Sequence, residues 1–326
     1  MPCLRLKGLV AATLTPLHDD GSLNLDQVGP IVDHLLGQGV EGLYVCGSTG
    51  EGISLMGAER KAVARAYVEA AHHQLPVVVQ VGHNSLSEAH ELARHAQEIG
   101  ADAISANAPS YFKVGSVESL VACMRKIASG APDLPFFYYH IPHLTGAHLN
   151  MLEFLEQASQ QIPNLAGIKY TSPTLHEYQC CLEWKDGAYG VLWGCDEMLL
   201  PALAVGATGA VGSTYNIAAS LYTRMIEAFQ DGNLDTARRC QSLAIRLINV
   251  LYEWPFHAAL KEVMRMLGLD CGPCRLPHPE LAAEDVRRLR TRLEAIQFFD
   301  WCRSRTWDVN RVANDTPTQP PLGGGN

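Results

Sequence analysis

The chain has 326 residues, 47% of them hydrophobic and 18% charged, the composition of a soluble globular protein with enough apolar material for one large core. Its net charge of −9 and its scattered lysines and arginines exclude a nucleic-acid footprint and an anionic-membrane partner. No apolar stretch is long enough to span a bilayer, and the opening MPCLRLKGLVAATLTPL is broken by Thr13, Thr15 and Pro16, which argues against a signal peptide and for a cytoplasmic protein.

In chain order, the first predicted element is a strand at 8–13 (GLVAAT), followed by a helix at 25–37, a strand at 42–46 (GLYVC) and a helix at 56–73. A strand at 77–81 (VVVQV), a helix at 85–98, a strand at 103–106 (AISA) and a helix at 116–129 continue the rhythm. Strands at 136–140 (FFYYH), 166–169 (AGIK), 190–193 (GVLW) and 209–212 (GAVG) then alternate with helices at 149–160, 173–183 and 196–205. Strands alternating with helices mark parallel βαβ units, and eight strands is the number that closes a (β/α)8 TIM barrel. A doubly wound open sheet is the alternative. Against it, the glycines at 206, 209 and 212 do not form the G-x-G-x-x-G dinucleotide fingerprint, and no phosphate loop occurs.

After Ser213 only helical spacing remains, at 216–230, 234–251, 255–267 and 282–299. The expected organisation is a barrel over residues 1–215, a C-terminal helical extension over 216–299 packed on it, and a tail over 300–326. The tail, ending NDTPTQPPLGGGN, has nothing apolar to bury and reads as disordered.

Barrel enzymes carry their chemistry at the C-terminal ends of the strands. The run Leu165, Ala166, Gly167, Ile168 ends there on Lys169. Two readings of this lysine are open. Its side chain can snorkel an ammonium to solvent, or it can face an apolar cavity, where desolvation lowers its pKa and makes the amine a nucleophile toward carbonyls. The other strand ends are GSTGE (47–51), YYHIPHLTG (138–146), GCDE (194–197) and GSTYN (212–216). Singly, each has a plain explanation: a turn before a capped helix, one more strand aromatic, carboxylates at a helix start. No metal site is expected of the Asp196–Glu197 pair, because helix neighbours point apart and no histidine recurs at ligand spacing. Together, an anion-binding turn, a tyrosine and a lysine on three strand ends are what a Schiff-base aldolase acting on an α-keto acid needs.

Ten cysteines without framework spacing imply reduced thiols. CGPC at 271–274 has the spacing of a thioredoxin-like redox pair, which requires a helix starting at the first cysteine. Here a helix ends near Gly268, and Pro277 and Pro279 follow, so neither redox chemistry nor a structural zinc is expected of Cys271 and Cys274.

GSTGE, YYHIPHLTG, GIKYT, GCDE and GATGAVGSTYN, in this order and spacing, resemble the N-acetylneuraminate lyase branch of the dihydrodipicolinate synthase superfamily, from about Lys7 to about Phe299. The resemblance implies a class I pyruvate aldolase without cofactor or metal, cleaving N-acetylneuraminate to pyruvate and N-acetylmannosamine. It makes Lys169 the Schiff-base lysine and Tyr139 the proton-transfer residue. Ser48, counted with them in the catalytic set, would hold the substrate carboxylate together with Thr49. Thr171, Gly194, Asp196, Glu197 and Ser213 match positions that hydrogen-bond the polyol tail of the sugar. Tyr111, in APSYF, matches a tyrosine that reaches into a neighbouring subunit's site, and a homotetramer is implied. The expected partners are therefore a small sugar acid, pyruvate and further copies of the chain.

Relatives of the dihydrodipicolinate synthase type carry an arginine after the strand-five tyrosine, where this chain has Leu144. The absence of that cation argues for a sugar acid over aspartate semialdehyde. Another pyruvate-dependent aldolase or dehydratase, such as a 2-keto-3-deoxy sugar acid aldolase, would share Lys169 and Tyr139. A non-catalytic regulatory homologue would be expected to lack one of them.

Overall fold

The structure is a computed structural model that describes residues 6–302; the expectation of a disordered tail falls almost wholly outside them. Among the described residues, β1 (Gly8–Ala12), β2 (Gly42–Val45), β3 (Val77–Gln80), β4 (Ala103–Asn107), β5 (Phe136–His140), β6 (Leu165–Tyr170), β7 (Gly190–Trp193) and β8 (Gly209–Gly212) form one closed parallel barrel. The connections hold α1 (Val28–Gly37), α2 (Gly57–Ala71), α3 (Leu86–Glu98), α4 (Val117–Ala128), α5 (Pro142–Thr145), α6 (Met151–Gln161), α7 (Leu175–Glu183) and α8 (Leu199–Ala204). Then come α9 (Tyr215–Gln230), α10 (Leu234–Tyr252), α11 (Phe256–Met266), α12 (Ala283–Ala295) and α13 (Phe298–Trp301). The protein is a (β/α)8 barrel carrying a helical C-terminal extension.

Strands buried on both faces need apolar side chains pointing both ways, which is why they read as near-continuous hydrophobic runs. Val10, Tyr44, Val78, Phe137, Leu192 and Val211 fill the barrel interior. Their strand neighbours Leu9, Leu43, Val79, Phe136 and Val191 pack outward against the helices. Polar caps start several of those helices: the side chains of Ser85, Ser116 and Asn150 accept from the backbone N–H of Glu88, Ser119 and Glu153 at the heads of α3, α4 and α6.

A β-bulge sets the direction of Lys169. Phe136 pairs with Leu165 but Phe137 pairs with Gly167, leaving Ala166 as the extra residue; Tyr139 then pairs with Lys169. Bulges re-aim the side chains that follow them, and here Lys169 comes level with Tyr139, facing into the barrel.

α9 packs against β1, α10 lies on α9, and α11 and α12 pack on α10. Two expected helices differ from the structure. The predicted helix at 282–299 is broken at Gln297, which takes left-handed backbone (φ 54°) so that Phe298 and Trp301 can turn back into the core. The helix predicted from 196 begins as a 3-10 turn, Asp196–Met198, because the Asp196 carboxylate is drawn inward to Thr214 instead of capping the first turn.

Candidate active site

A cavity of about 380 Å³ opens at the C-terminal ends of the strands. Its wall includes Ser48, Thr49, Tyr139, Lys169, Thr171, Gly194, Asp196, Glu197 and Ser213, so one sequence-predicted set from five strand ends lines a single space.

Lys169 is 4% exposed, which excludes the snorkelling alternative. Its Nζ stands 3.8 Å from the Tyr44 ring centroid and 4.0 Å from that of Tyr139. Aromatic faces favour the ammonium modestly, but loss of water opposes it more strongly. Burial wins: the pKa falls to about 7, although the nearby Asp196 and Cys195 pull it upward. The Tyr139 phenol goes the other way, pushed up to about 12 by burial, with the hydroxyls of Ser48 and Thr171 pulling it back. At neutral pH the site therefore holds a lysine that is partly free amine beside a tyrosine that keeps its proton. The Ser48 hydroxyl lies 3.5 Å from the Tyr139 oxygen.

The Gly47–Gly50 turn forms the opposite lip. Gly52 donates from its N–H to the Gly47 carbonyl at 3.0 Å, and Glu51 to that of Ser48 at 3.0 Å. Among the described residues the Ser48 and Thr49 amides donate to no protein acceptor, which leaves them free to donate to a ligand or to water. The Thr49 and Ser213 hydroxyls meet at 2.6 Å. The Asn216 amide fixes Ser213 in turn, donating to the carbonyls of Ser213 and Ala12 at 2.7 Å each.

Asp196 is buried and Glu197 is exposed. Burial raises the Asp196 carboxyl to about 6, and two donors from Thr214, its N–H at 2.9 Å and its hydroxyl at 2.6 Å, oppose that rise. Gly212 must lack a side chain, because a Cβ there would sit 2.0 Å from Asp196 Oδ1. At Gly194 a Cβ would come within 2.0 Å of the Thr171 hydroxyl oxygen, so both glycines keep polar groups at the cavity surface.

Tyr111 stands apart from this set. It is 78% exposed, packs edge-on against Phe112 and does not line the cavity. Leu144 does line it, at 55% exposure, and among the described residues the wall contains no arginine. Cys271 and Cys274 are free thiols, each pushed up to about 12 by burial, and the next helix starts only at Ala283. Among the described residues no three His, Cys, Asp or Glu side chains gather to hold a metal ion, and no helix is long and apolar enough to cross a membrane.

Sequence reasoning missed the contribution of the extension. Ile248 and Tyr252 of α10 and Phe256 and His257 of α11 line the cavity, and His257 Nε2 lies 3.0 Å from the Ser48 carbonyl. No local signal marks these residues, since only tertiary packing brings them to the mouth. Tyr44 is a further residue of the site, and for it a signal exists: the period-two alternation of β2 points it inward beside Val10 and Val78.

The family model for the Dihydrodipicolinate synthetase family matches residues 5–296. N-acetylneuraminate lyase of Rattus norvegicus is 39% identical over 305 residues, covering 92% of this chain and 95% of the relative. Among solved structures, Proteus mirabilis N-acetylneuraminate lyase aligns with a TM-score of 0.88 at 40% identity, covering 90% of this chain and 99% of that one. The N-acetylneuraminate lyase (sialic acid aldolase) of Aliivibrio salmonicida aligns with a TM-score of 0.88 at 44% identity, covering 90% and 98%. By sequence and by fold alike, the chain belongs to the dihydrodipicolinate synthetase family.

Proposed function

We propose that this protein is an N-acetylneuraminate lyase, a carbon–carbon lyase of the class I aldolase type that cleaves N-acetylneuraminate reversibly to pyruvate and N-acetylmannosamine. The observation that carries the proposal is a buried Lys169 amine, lowered to about 7 and set beside a protonated Tyr139 in a cavity where polar groups from five strand ends meet.

In this reading neutral Lys169 attacks the C2 ketone of the open-chain sugar acid, and loss of water leaves an iminium. The C4 hydroxyl gives up its proton, the C3–C4 bond breaks, and the electron pair passes into the iminium to form an enamine. The C4 carbon leaves as the aldehyde of N-acetylmannosamine. Protonation of the enamine at C3 and hydrolysis then release pyruvate and restore Lys169. A phenol held near 12 is no resting base, so Tyr139 acts as a relay, taking the C4 proton while passing its own to the substrate carboxylate. The Ser48 and Thr49 amides seat that carboxylate. This local seat matters because a net charge of −9 gives no long-range attraction for an anion. Thr171, Gly194, Asp196, Glu197 and Ser213 face the polyol tail.

The cavity wall also speaks against aspartate semialdehyde. Leu144, Asp196 and Glu197 offer no cation to a second carboxylate. The same reading makes the protein a cytoplasmic homotetramer in which Tyr111, exposed here, reaches a neighbouring subunit's site. The test is pyruvate release from N-acetylneuraminate, combined with borohydride trapping of pyruvate and peptide mapping. One adduct, on Lys169, is expected. Efficient condensation with aspartate semialdehyde and no cleavage of the sugar acid would place the chemistry on another substrate.

A further inference from the structure

The Gly47–Gly50 turn is bracketed by two residues in left-handed backbone, Cys46 (φ 59°) and Glu51 (φ 53°). A side-chain-bearing residue adopts that conformation only where its surroundings impose it. The grip on Glu51 comes from outside the barrel. Lys261 of α11 places Nζ 2.8 Å from Glu51 Oε1, with the two side chains 3% and 1% exposed. The same ammonium donates to the Pro273 carbonyl at 2.6 Å, and the Arg275 backbone N–H donates to Glu51 Oε2 at 2.7 Å. Oε2 thereby accepts a hydrogen bond, and Oε1 faces the ammonium at ion-pair distance. One helical turn earlier on α11, His257 reaches the Ser48 carbonyl at 3.0 Å, so a single helix takes hold of the turn at two points, one near each end.

A dry ion pair of this kind adds little net stability compared with apolar residues of the same volume, because both charges must be stripped of water. Its effect here lies in placement. The turn it fixes is the one whose Ser48 and Thr49 amides are unpaired by protein and whose Ser48 hydroxyl faces Tyr139. We propose that Glu51, Lys261 and His257 are positioning residues that hold the Ser48–Thr49 turn at the height where it meets the carboxylate of a keto acid joined to Lys169. This rests on the lyase reading of Lys169 given above. Glu51 and Lys261 stand behind the cavity wall, and His257, which lines it, meets the turn at the Ser48 carbonyl; each acts through the turn.

The test compares two ketones that differ only in charge at the carboxyl end. Cyanoborohydride trapping at Lys169 is measured against pyruvate and against methyl pyruvate, whose ester offers the turn no anion. In the unmodified protein pyruvate half-saturates at the lower concentration. Lys261→Met is expected to raise the pyruvate value by about 10- to 100-fold, the scale of a small misplacement or of one lost charge-assisted hydrogen bond. The methyl pyruvate value stays unchanged, and Lys261→Arg recovers part of the loss. Because Lys261→Met strands the Glu51 charge in the core, a second pair covers a folding failure: His257→Ala loses the contact to Ser48, whereas His257→Gln retains a donor in its place. Unchanged pyruvate capture by folded Lys261→Met, or by His257→Ala if the first variant does not fold, overturns the inference. So does an equal loss for both ketones, since that would place the effect on Lys169 or on the fold as a whole. No pyruvate capture by the unmodified protein would instead remove the lyase reading, and the inference with it.

Discussion

The pH dependence of Lys169 capture gives the sharpest check on the site. A pKa of about 7 leaves about half the Lys169 side chains as free amine at pH 7, whereas a lysine at its ordinary 10.5 would leave only about one in 3,000. The gain in available nucleophile is therefore about a thousandfold or more. Lys169 is a base whose pKa is lowered, so the reactive form accumulates as pH rises. With pyruvate well below half-saturation, the initial rate of cyanoborohydride trapping should climb in proportion to hydroxide below about pH 7 and level off above it. Asp196 favours the ammonium, and its own carboxyl titrates near 6, so the two groups share the acid limb of the profile. Asp196→Asn removes that charge and should move the inflection to lower pH. A rate that keeps climbing to pH 9 with no plateau would show the amine to be as basic as one in water. Burial would then not be what makes Lys169 reactive.

Three further outcomes are expected. Lys169→Met should raise Tm at pH 7, because burying the amine costs the fold on the order of 4 kcal/mol there. The unfolded chain binds a proton that the native site lacks between about 7 and 10.5, so this advantage should shrink as pH rises across that window; a variant less stable than the parent at pH 7 would contradict it. Tyr139→Phe should keep the borohydride adduct while kcat falls by roughly 10²–10⁴, and undiminished turnover would assign the proton relay to another residue. Glu197→Ala should lower kcat/KM for N-acetylneuraminate by roughly 5- to 150-fold, equivalent to about 1–3 kcal/mol of lost hydrogen bonding, with pyruvate capture intact; an unaltered kcat/KM would remove Glu197 from the sugar contacts.

The barrel was legible because its signal is repeated. Each strand is short, apolar on both faces and bounded by turn residues, and each βα unit reinforces the reading of the next. The strand-end groups were legible for a related reason: in this architecture strand ends converge, so Ser48, Tyr139, Lys169, Asp196 and Ser213 could be expected in one place before any distance was known. What the sequence could not show is whatever depends on a local exception or on packing between distant segments. Nothing in LAGIK announces the bulge at Ala166 that turns Lys169 inward. Asp196 and Glu197 look equivalent on paper, yet the Thr214 donors draw one into the core and leave the other in solvent. His257 and Lys261 sit in an amphipathic helix like any other, and only the docking of α11 under the GSTGE turn gives them a role.

That docking also orders events during synthesis. His257 lies 209 residues after its contact at Ser48, and Arg275 lies 224 after Glu51. A ribosome that has delivered every strand through Gly212 has not yet made α11. The chain at that stage contains Lys169 and Tyr139, but Glu51 lacks Lys261 and the Ser48 carbonyl lacks His257. Tight capture of a keto acid would then wait for the closing helices, and a chain stalled in the extension would hold Lys169 and Tyr139 without the contacts proposed to set the Ser48–Thr49 turn.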